Sequence, residues 1–241
     1  MSRTRTRRKF LHEAAALGAG FWVAGSRSFG QSRSANEQMH VGVVGVNGQG
    51  GWNIDRLVEA GGVEIVALCD VDENGAGKMR ERFPKARFVV DYRKLLDQKD
   101  IDAVLVATPD HNHAPATMLA LKAGKHVYCE KPLTHTVDEC RAIREAAAKQ
   151  KLATQMGTQI HATDNFRRVV EMVKGGAIGK PQEVRVWCSR TPKGGSYLEA
   201  AGDPPPHLHW DLWVGPSPMH PYNPDYIGGC GKWNRFWDFG D

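Results

Sequence analysis

At 241 residues, with 41% apolar and 24% charged residues, the chain can hold one or two globular domains, and nothing in its composition suits a fibrous, disordered or disulfide-stapled protein. Its formal charge of +5 comes from one end: seven of the 32 Lys and Arg, but one of the 27 Asp and Glu, fall in residues 1–33, leaving 25 basic and 26 acidic residues in the remainder. A body so close to neutral excludes the basic footprint of a nucleic-acid binder.

Residues 1–33 have the three parts of an export signal. A basic stretch comes first, then an apolar run over 14–24 that is short for a membrane span, then a small-residue exit through Gly25-Ser26 or Ser28-Phe29-Gly30. Within the basic stretch, Thr6-Arg7-Arg8-Lys9-Phe10-Leu11 resembles a twin-arginine signal, which implies delivery of the folded protein to the periplasm by the twin-arginine translocation machinery. The five cysteines (Cys69, Cys129, Cys140, Cys188, Cys230) form no C-x-x-C pair, and Cys69 and Cys129, which end apolar runs, read as small buried hydrophobes.

Beyond a polar linker at 34–38, apolar and amphipathic segments alternate. Val/Ile/Leu-rich runs predict strands at 41–46, 63–69, 87–90, 101–107, 126–129 and 152–156, most of them continuous enough to be buried on both faces. Between and after them, helices are predicted near 52–60, 74–82, 92–97, 115–123, 137–149 and 165–174. The fifth begins with Thr136 and Glu139 at capping-box spacing, and the sixth carries Phe166, Val169, Val170 and Val173 on one stripe. Such alternation predicts an α/β protein with a Rossmann-type, doubly wound parallel sheet over residues 34–160. From 161 onward a second domain is expected to open, with one further strand at 184–188 followed by an aperiodic stretch rich in Pro, Gly and Trp.

Chemistry-bearing residues fall at the carboxyl ends of these strands, where an open α/β sheet places its ligand. Gly45-Val46-Asn47-Gly48-Gln49-Gly50-Gly51 forms a dinucleotide-type turn in which Gly45, Gly48 and Gly50 let a pyrophosphate approach the amides at a helix start, with Asn47 standing where the strict pattern has glycine. Asp70, twenty residues after Gly50, ends the second strand, where a carboxylate can hold the ribose hydroxyls of NAD and repel the extra phosphate of NADP. Thr108-Pro109 follows the fourth strand and is expected against the cofactor, with His113 helping to start the next helix. His111 and His113 with Asp110 are the alternative metal cluster, disfavoured because no second His/Cys group has suitable spacing. Glu130-Lys131-Pro132 places an ionisable pair behind the fifth strand.

Together, the glycine turn, Asp70, Thr108-Pro109-Asp110-His111-Asn112-His113, Glu130-Lys131-Pro132 and Gln155-Met156-Gly157-Thr158-Gln159 resemble the Gfo/Idh/MocA oxidoreductases. The resemblance implies a Rossmann domain followed by an α+β substrate domain with an open mixed sheet, of which residues 161–241 would be the incomplete beginning. It implies NAD as cofactor at Gly45, Asn47, Gly48, Gln49, Gly50, Asp70, Thr108, Pro109, His113, Glu130, Lys131 and Gln159. Lys131 becomes the catalytic proton-handling group, and the bond before Pro132 is expected to be cis. A sugar or polyol is the implied substrate, with hydride moving between its carbon and nicotinamide, and a homo-oligomer through the missing part of the open sheet is the implied assembly. His209-Trp210-Asp211-Leu212-Trp213 is also similar to a family element, and its aromatics suit either a sugar face or packing on that sheet. Members carry a histidine in a glycine-rich element beyond a stretch like residues 233–241, so part of the active site is expected outside this sequence. Export joined to an NAD-dependent activity predicts a closed redox cycle, as in the NAD-dependent glycosidases of this fold. The rival of another class is a non-catalytic nucleotide-binding remnant of a truncated gene.

Overall fold

The computed structural model describes residues 38–187 and 196–240, and residues 39–241 form one compact unit. The predicted export signal at 1–33 and Cys188 lie outside the described residues. Six parallel strands, β1 (Met39–Val44), β2 (Val63–Cys69), β3 (Arg87–Val89), β4 (Ala103–Val106), β5 (His126–Glu130) and β6 (Thr154–Gly157), make a sheet in the order β3-β2-β1-β4-β5-β6. This is the doubly wound order whose direction reverses between β1 and β4, where Val41 pairs with Ala103 and Val44 with Val106.

Helices cover both faces, as the continuous apolar strands require. On one side Ile54 of α1 (Gln49–Ala60), with Met79 of α2 (Gly77–Arg82), packs on Val43, Leu68 and Leu105. On the other, Leu95 of α3 (Tyr92–Leu96), Leu121 of α4 (His113–Lys122) and Ile143 of α5 (Val137–Gln150) pack on Val104, Val106 and Val127. The predicted capping box forms: Thr136 Oγ1 accepts from Glu139 N at 3.3 Å while Glu139 Oε2 accepts from Thr136 N at 2.9 Å. Cys69 and Cys129 are buried and free, and burial pushes the Cys129 thiol up to about 12.

Beyond β6 the structure departs from expectation over 184–187. Helix α6 (Asp164–Lys174) forms as predicted, and its stripe of Phe166, Val169, Val170 and Val173 is exposed, with Phe166 stacked on the His161 ring at 4.6 Å. The strand expected at 184–188 is absent over 184–187, which run without secondary structure. A strand is made by its neighbour's hydrogen bonds, and no strand among the described residues lies beside this segment. Residues 196–240, within the stretch 161–241 read as the beginning of a second domain, fold back over the carboxyl edge of the sheet. They carry α7 (Trp210–Val214) and α8 (Cys230–Trp233) and enclose a cluster built from Leu208, Trp210, Trp213, Tyr226, Phe236 and Phe239. No helix among the described residues is long and apolar enough to cross a membrane.

Candidate functional site

At the switch point, β1 hands the chain to α1 through the glycine turn. Gly45 has φ 81°, and a Cβ there would stand 2.5 Å from the Ala107 carbonyl oxygen, so glycine lets this turn lie flat against the end of β4. A Cβ on Gly50 would run into the Gly45 carbonyl. Asn47 needs no left-handed backbone, because Lys151 is the non-glycine residue with positive φ among the described residues; instead Asn47 Oδ1 accepts from Gly48 N at 2.8 Å and closes the turn from within. The departure from the glycine pattern therefore leaves the turn intact. Gly48 then caps α1 with no side-chain hydrogen bond, the first turn holds no acid, and nothing lies within 4 Å of where a Gly48 Cβ would be. A helix start left open in this way, with its amides and positive dipole end facing space, suits a pyrophosphate.

Asp70 ends β2 beside this turn. Its Oδ2 accepts from Val46 N at 2.9 Å and its Oδ1 from Asp72 N at 3.0 Å, so one carboxylate ties the glycine turn to the loop after β2. Burial raises its pKa from the ordinary carboxylate value, opposed by these amide hydrogen bonds. Asp72 repeats the device one step out, taking Asn74 N at 3.1 Å and Gly75 N at 3.0 Å. Turn and acid open onto a cavity of about 670 Å³, within the usual size of a cofactor site. Of the residues expected at the cofactor, Gly45, Asn47, Gly48, Gln49, Asp70, Thr108 and Pro109 line it.

Gly50, His113, Glu130, Lys131 and Gln159 are not among the lining residues, and their geometry says what they do instead. Glu130 is 4% exposed, and its Oε1 accepts from Asn53 Nδ2 at 2.7 Å, Gln159 Nε2 at 2.6 Å and Gln49 Nε2 at 3.5 Å. It thereby pins the start of α1 and the chain after β6 to the end of β5, in a space so tight that a Cβ on Gly157 would sit 2.7 Å from the carboxylate. His113 is buried between two carbonyls, with Nδ1 2.6 Å from Pro132 O and Nε2 2.9 Å from Thr108 O. Desolvation lowers its pKa, and the backbone partners oppose the shift. It joins the loop after β4 to the loop after β5 rather than facing the cavity. Lys131 is exposed, and the Lys131–Pro132 bond is cis as expected. Both His111 and His113 turn their ring nitrogens to backbone carbonyls, and no group of three His, Cys, Asp or Glu gathers into a metal site among the described residues.

Residues 39–158 match the oxidoreductase family model described as the GFO_IDH_MocA NAD-binding Rossmann fold. Residues 39–158 belong to the Gfo/Idh/MocA family. The similarity includes the inositol 2-dehydrogenase of Rubrobacter xylanophilus, 36% identical over 158 residues covering 64% of this chain and 45% of the relative. It also includes an α-N-acetylgalactosaminidase of Shewanella oneidensis, 29% identical over 200 residues covering 72% of this chain and 44% of the relative. Among solved structures, the myo-inositol 2-dehydrogenase of Lactobacillus plantarum superposes with a TM-score of 0.56 at 26% identity, over 59% of this chain and 43% of that one. The chain thus spans less than half the length of the curated relatives it matches.

With a Gfo/Idh/MocA Rossmann fold in place, the open helix start, the glycine cradle and the acid after β2 fit NAD. Sequence reasoning missed the rest of the cavity wall. Val71, Asp72 and Asn112 adjoin residues it had named, and their proximity was the available signal. Leu208, Ile227 and Trp233 come from a stretch without period; Leu212 and Trp213 belong to the aromatic element left open between a sugar face and packing on the sheet, and they line this cavity.

Proposed function

We propose that this chain is the cofactor-binding part of an NAD-dependent oxidoreductase that moves hydride between a carbon of a sugar or polyol and nicotinamide. The observation that carries the reading is the cavity at the switch point, lined by the glycine turn, Asp70 and Thr108-Pro109. Bound NAD supplies a two-electron hydride acceptor. The chain's own residues supply three things. The α1 amides and Gly48 hold negative charge, Asp70 and Asp72 face the ribose end, and the free amine of Lys131 takes the hydroxyl proton, becoming an ammonium, as the carbon is oxidised. Glu130 and His113 are positioning residues: one anchors the start of α1 and the other fixes the carbonyl next to Lys131.

A second reading, glycoside cleavage by oxidation, elimination and reduction with the cofactor restored in each cycle, is favoured by the similarity to the α-N-acetylgalactosaminidase, which extends over 200 residues. It accords with the export signal read in residues 1–33, because a cofactor regenerated on the enzyme needs no external pool. The full chain offered myo-inositol should form NADH, whereas under the second reading an aryl N-acetylgalactosaminide should release its phenol with bound NAD and no net NADH. In either case Lys131→Met should lower turnover by about 100-fold or more while leaving NADH binding in place. Unchanged turnover in that variant would remove Lys131 from the chemistry.

A further inference from the structure

Two walls enclose the nucleotide cavity, and the Rossmann sheet edge supplies only one of them. The opposite wall is Leu208, Leu212, Trp213, Ile227 and Trp233, all from the returning segment. We propose that residues 205–240 form a clamp over the dinucleotide, so that NAD(H) enters and leaves only when this segment lifts from the sheet edge. The proposal rests on the NAD-binding reading of the cavity and adds to it the residues that govern exchange.

The segment is fastened at the carboxyl end of strand after strand, along the same edge the ligand occupies. After β2, Leu208 forms an antiparallel bridge with Asp72, flanked by Glu73 N donating to His207 O at 3.0 Å and His209 N donating to Val71 O at 2.9 Å. His209 Nε2 also meets Glu73 Oε1 at 3.1 Å. After β4, Asn112 Nδ2 donates to Trp213 O at 3.0 Å, and the buried His111 ring lies with Nε2 2.9 Å from Trp213 O and Nδ1 3.1 Å from Phe239 O. After β5, His135 Nε2 lies 3.1 Å from Gly240 O. The backbone at Gly215, φ 56°, passes so close to Asn112 that a Cβ would strike its amide oxygen.

Internally the segment is too well packed to peel off residue by residue. Trp210 and Trp213 stack at 4.8 Å and 9° between planes, and Tyr226 and Phe239 meet edge-on at 5.2 Å beneath them. A rigid body held at separated points releases as a unit, which makes opening slow compared with loop motion. Its chemistry also matches position. Leu208 and Ile227 face the β2 side, where the acids mark the ribose of the adenosine half, and apolar walls there suit a flat purine ring.

The test reads binding and exchange in the full chain and needs no substrate. Backbone hydrogen exchange is followed with and without saturating NADH, and the NADH off-rate is measured by displacement with excess NAD⁺. The measurement is repeated in His209→Ala, which loosens a fastening outside the cavity, and in Ile227→Ala, which thins the wall. The clamp predicts new protection across 205–214 and 224–233 on NADH binding, and an off-rate about tenfold faster in both variants. Protection confined to 44–51, 69–72 and 107–109, with off-rates within about twofold of the unaltered chain, would overturn it while leaving NAD binding intact. Failure of the unaltered chain to bind NADH at all would instead sink the cofactor reading and the clamp together.

Discussion

The inner wall of the cavity is made of backbone, and the outer wall is made of side chains. At the sheet edge the decisive features are places where an atom cannot be: no Cβ fits at Gly45 or Gly50, and no side chain caps α1. The carboxylate of Asp70 then locks that geometry through two amides. Across the cavity, the returning segment stands on an aromatic cluster around Tyr226 and Phe239, fastened by hydrogen bonds from loops more than a hundred residues upstream. Steric exclusion fails at a single added methyl, whereas packing fails in proportion to the volume removed. The two walls should therefore respond differently to mutation.

Tyr226→Ala should show the largest stability effect and confine it to the outer wall. Tyr226 is fully buried, its hydroxyl accepts from Leu198 N at 2.6 Å, and truncation of such a residue costs about 3–5 kcal/mol. Chemical unfolding followed by tryptophan emission should lose its outer-wall transition while far-ultraviolet circular dichroism keeps the sheet; loss of both at once would mean the walls are one cooperative structure. Gly50→Ala attacks the inner wall. The new methyl meets the Gly45 carbonyl, at a cost of about 1–3 kcal/mol, and NADH titration should show binding abolished even where the fold survives. Asp70→Asn replaces an acceptor oxygen by an amino group, so either Val46 N or Asp72 N loses its partner. We expect about 1–2 kcal/mol of lost stability and a narrowed preference for NADH over NADPH in parallel titrations.

The most gradual effect is that of pH on the two buried histidines. Desolvation lowers the pKa of both His111 and His113, so each binds its proton more readily in the unfolded chain. Their contribution is complete above the unfolded value near 6.5 and is lost as pH falls through that value toward the depressed folded one, at no more than about 1.4 kcal/mol per pH unit for each. Midpoints of thermal unfolding measured from pH 7.5 down to 5 should decline, and a His111→Gln chain should decline less steeply.

The same contrast explains what could be read in the sequence. The Val-rich runs, the glycine turn and Asp70 are local patterns whose period or spacing is itself the structure, so the sheet and the inner wall follow from them. Thr136 and Glu139 announce their helix for the same reason. Glu130 ends β5 and His113 opens α4, but position along the chain does not say which way a side chain turns. Both point inward, to Asn53 and Gln159 in one case and to the carbonyls of Thr108 and Pro132 in the other. The outer wall was legible only in part: His209-Trp210-Asp211-Leu212-Trp213 stands out as an aromatic element, but Trp210, Trp213 and Tyr226 follow no period and their docking partners, Val71 and His111, are distant in the chain, so where they dock could not be read. Residues 184–187 show the converse: an apolar run reads as a strand, yet without a neighbour among the described residues it forms none.

The central claim is that one dinucleotide lies between these two walls with its ribose end at Asp70. Calorimetric titration of the full chain with NADH and, separately, NADPH tests it most directly. The account predicts a single site per chain, NADH binding about tenfold or more tighter than NADPH, and loss of that difference in Asp70→Asn. Equal affinity for the two nucleotides in the unaltered chain, or no saturable binding of either, would contradict it.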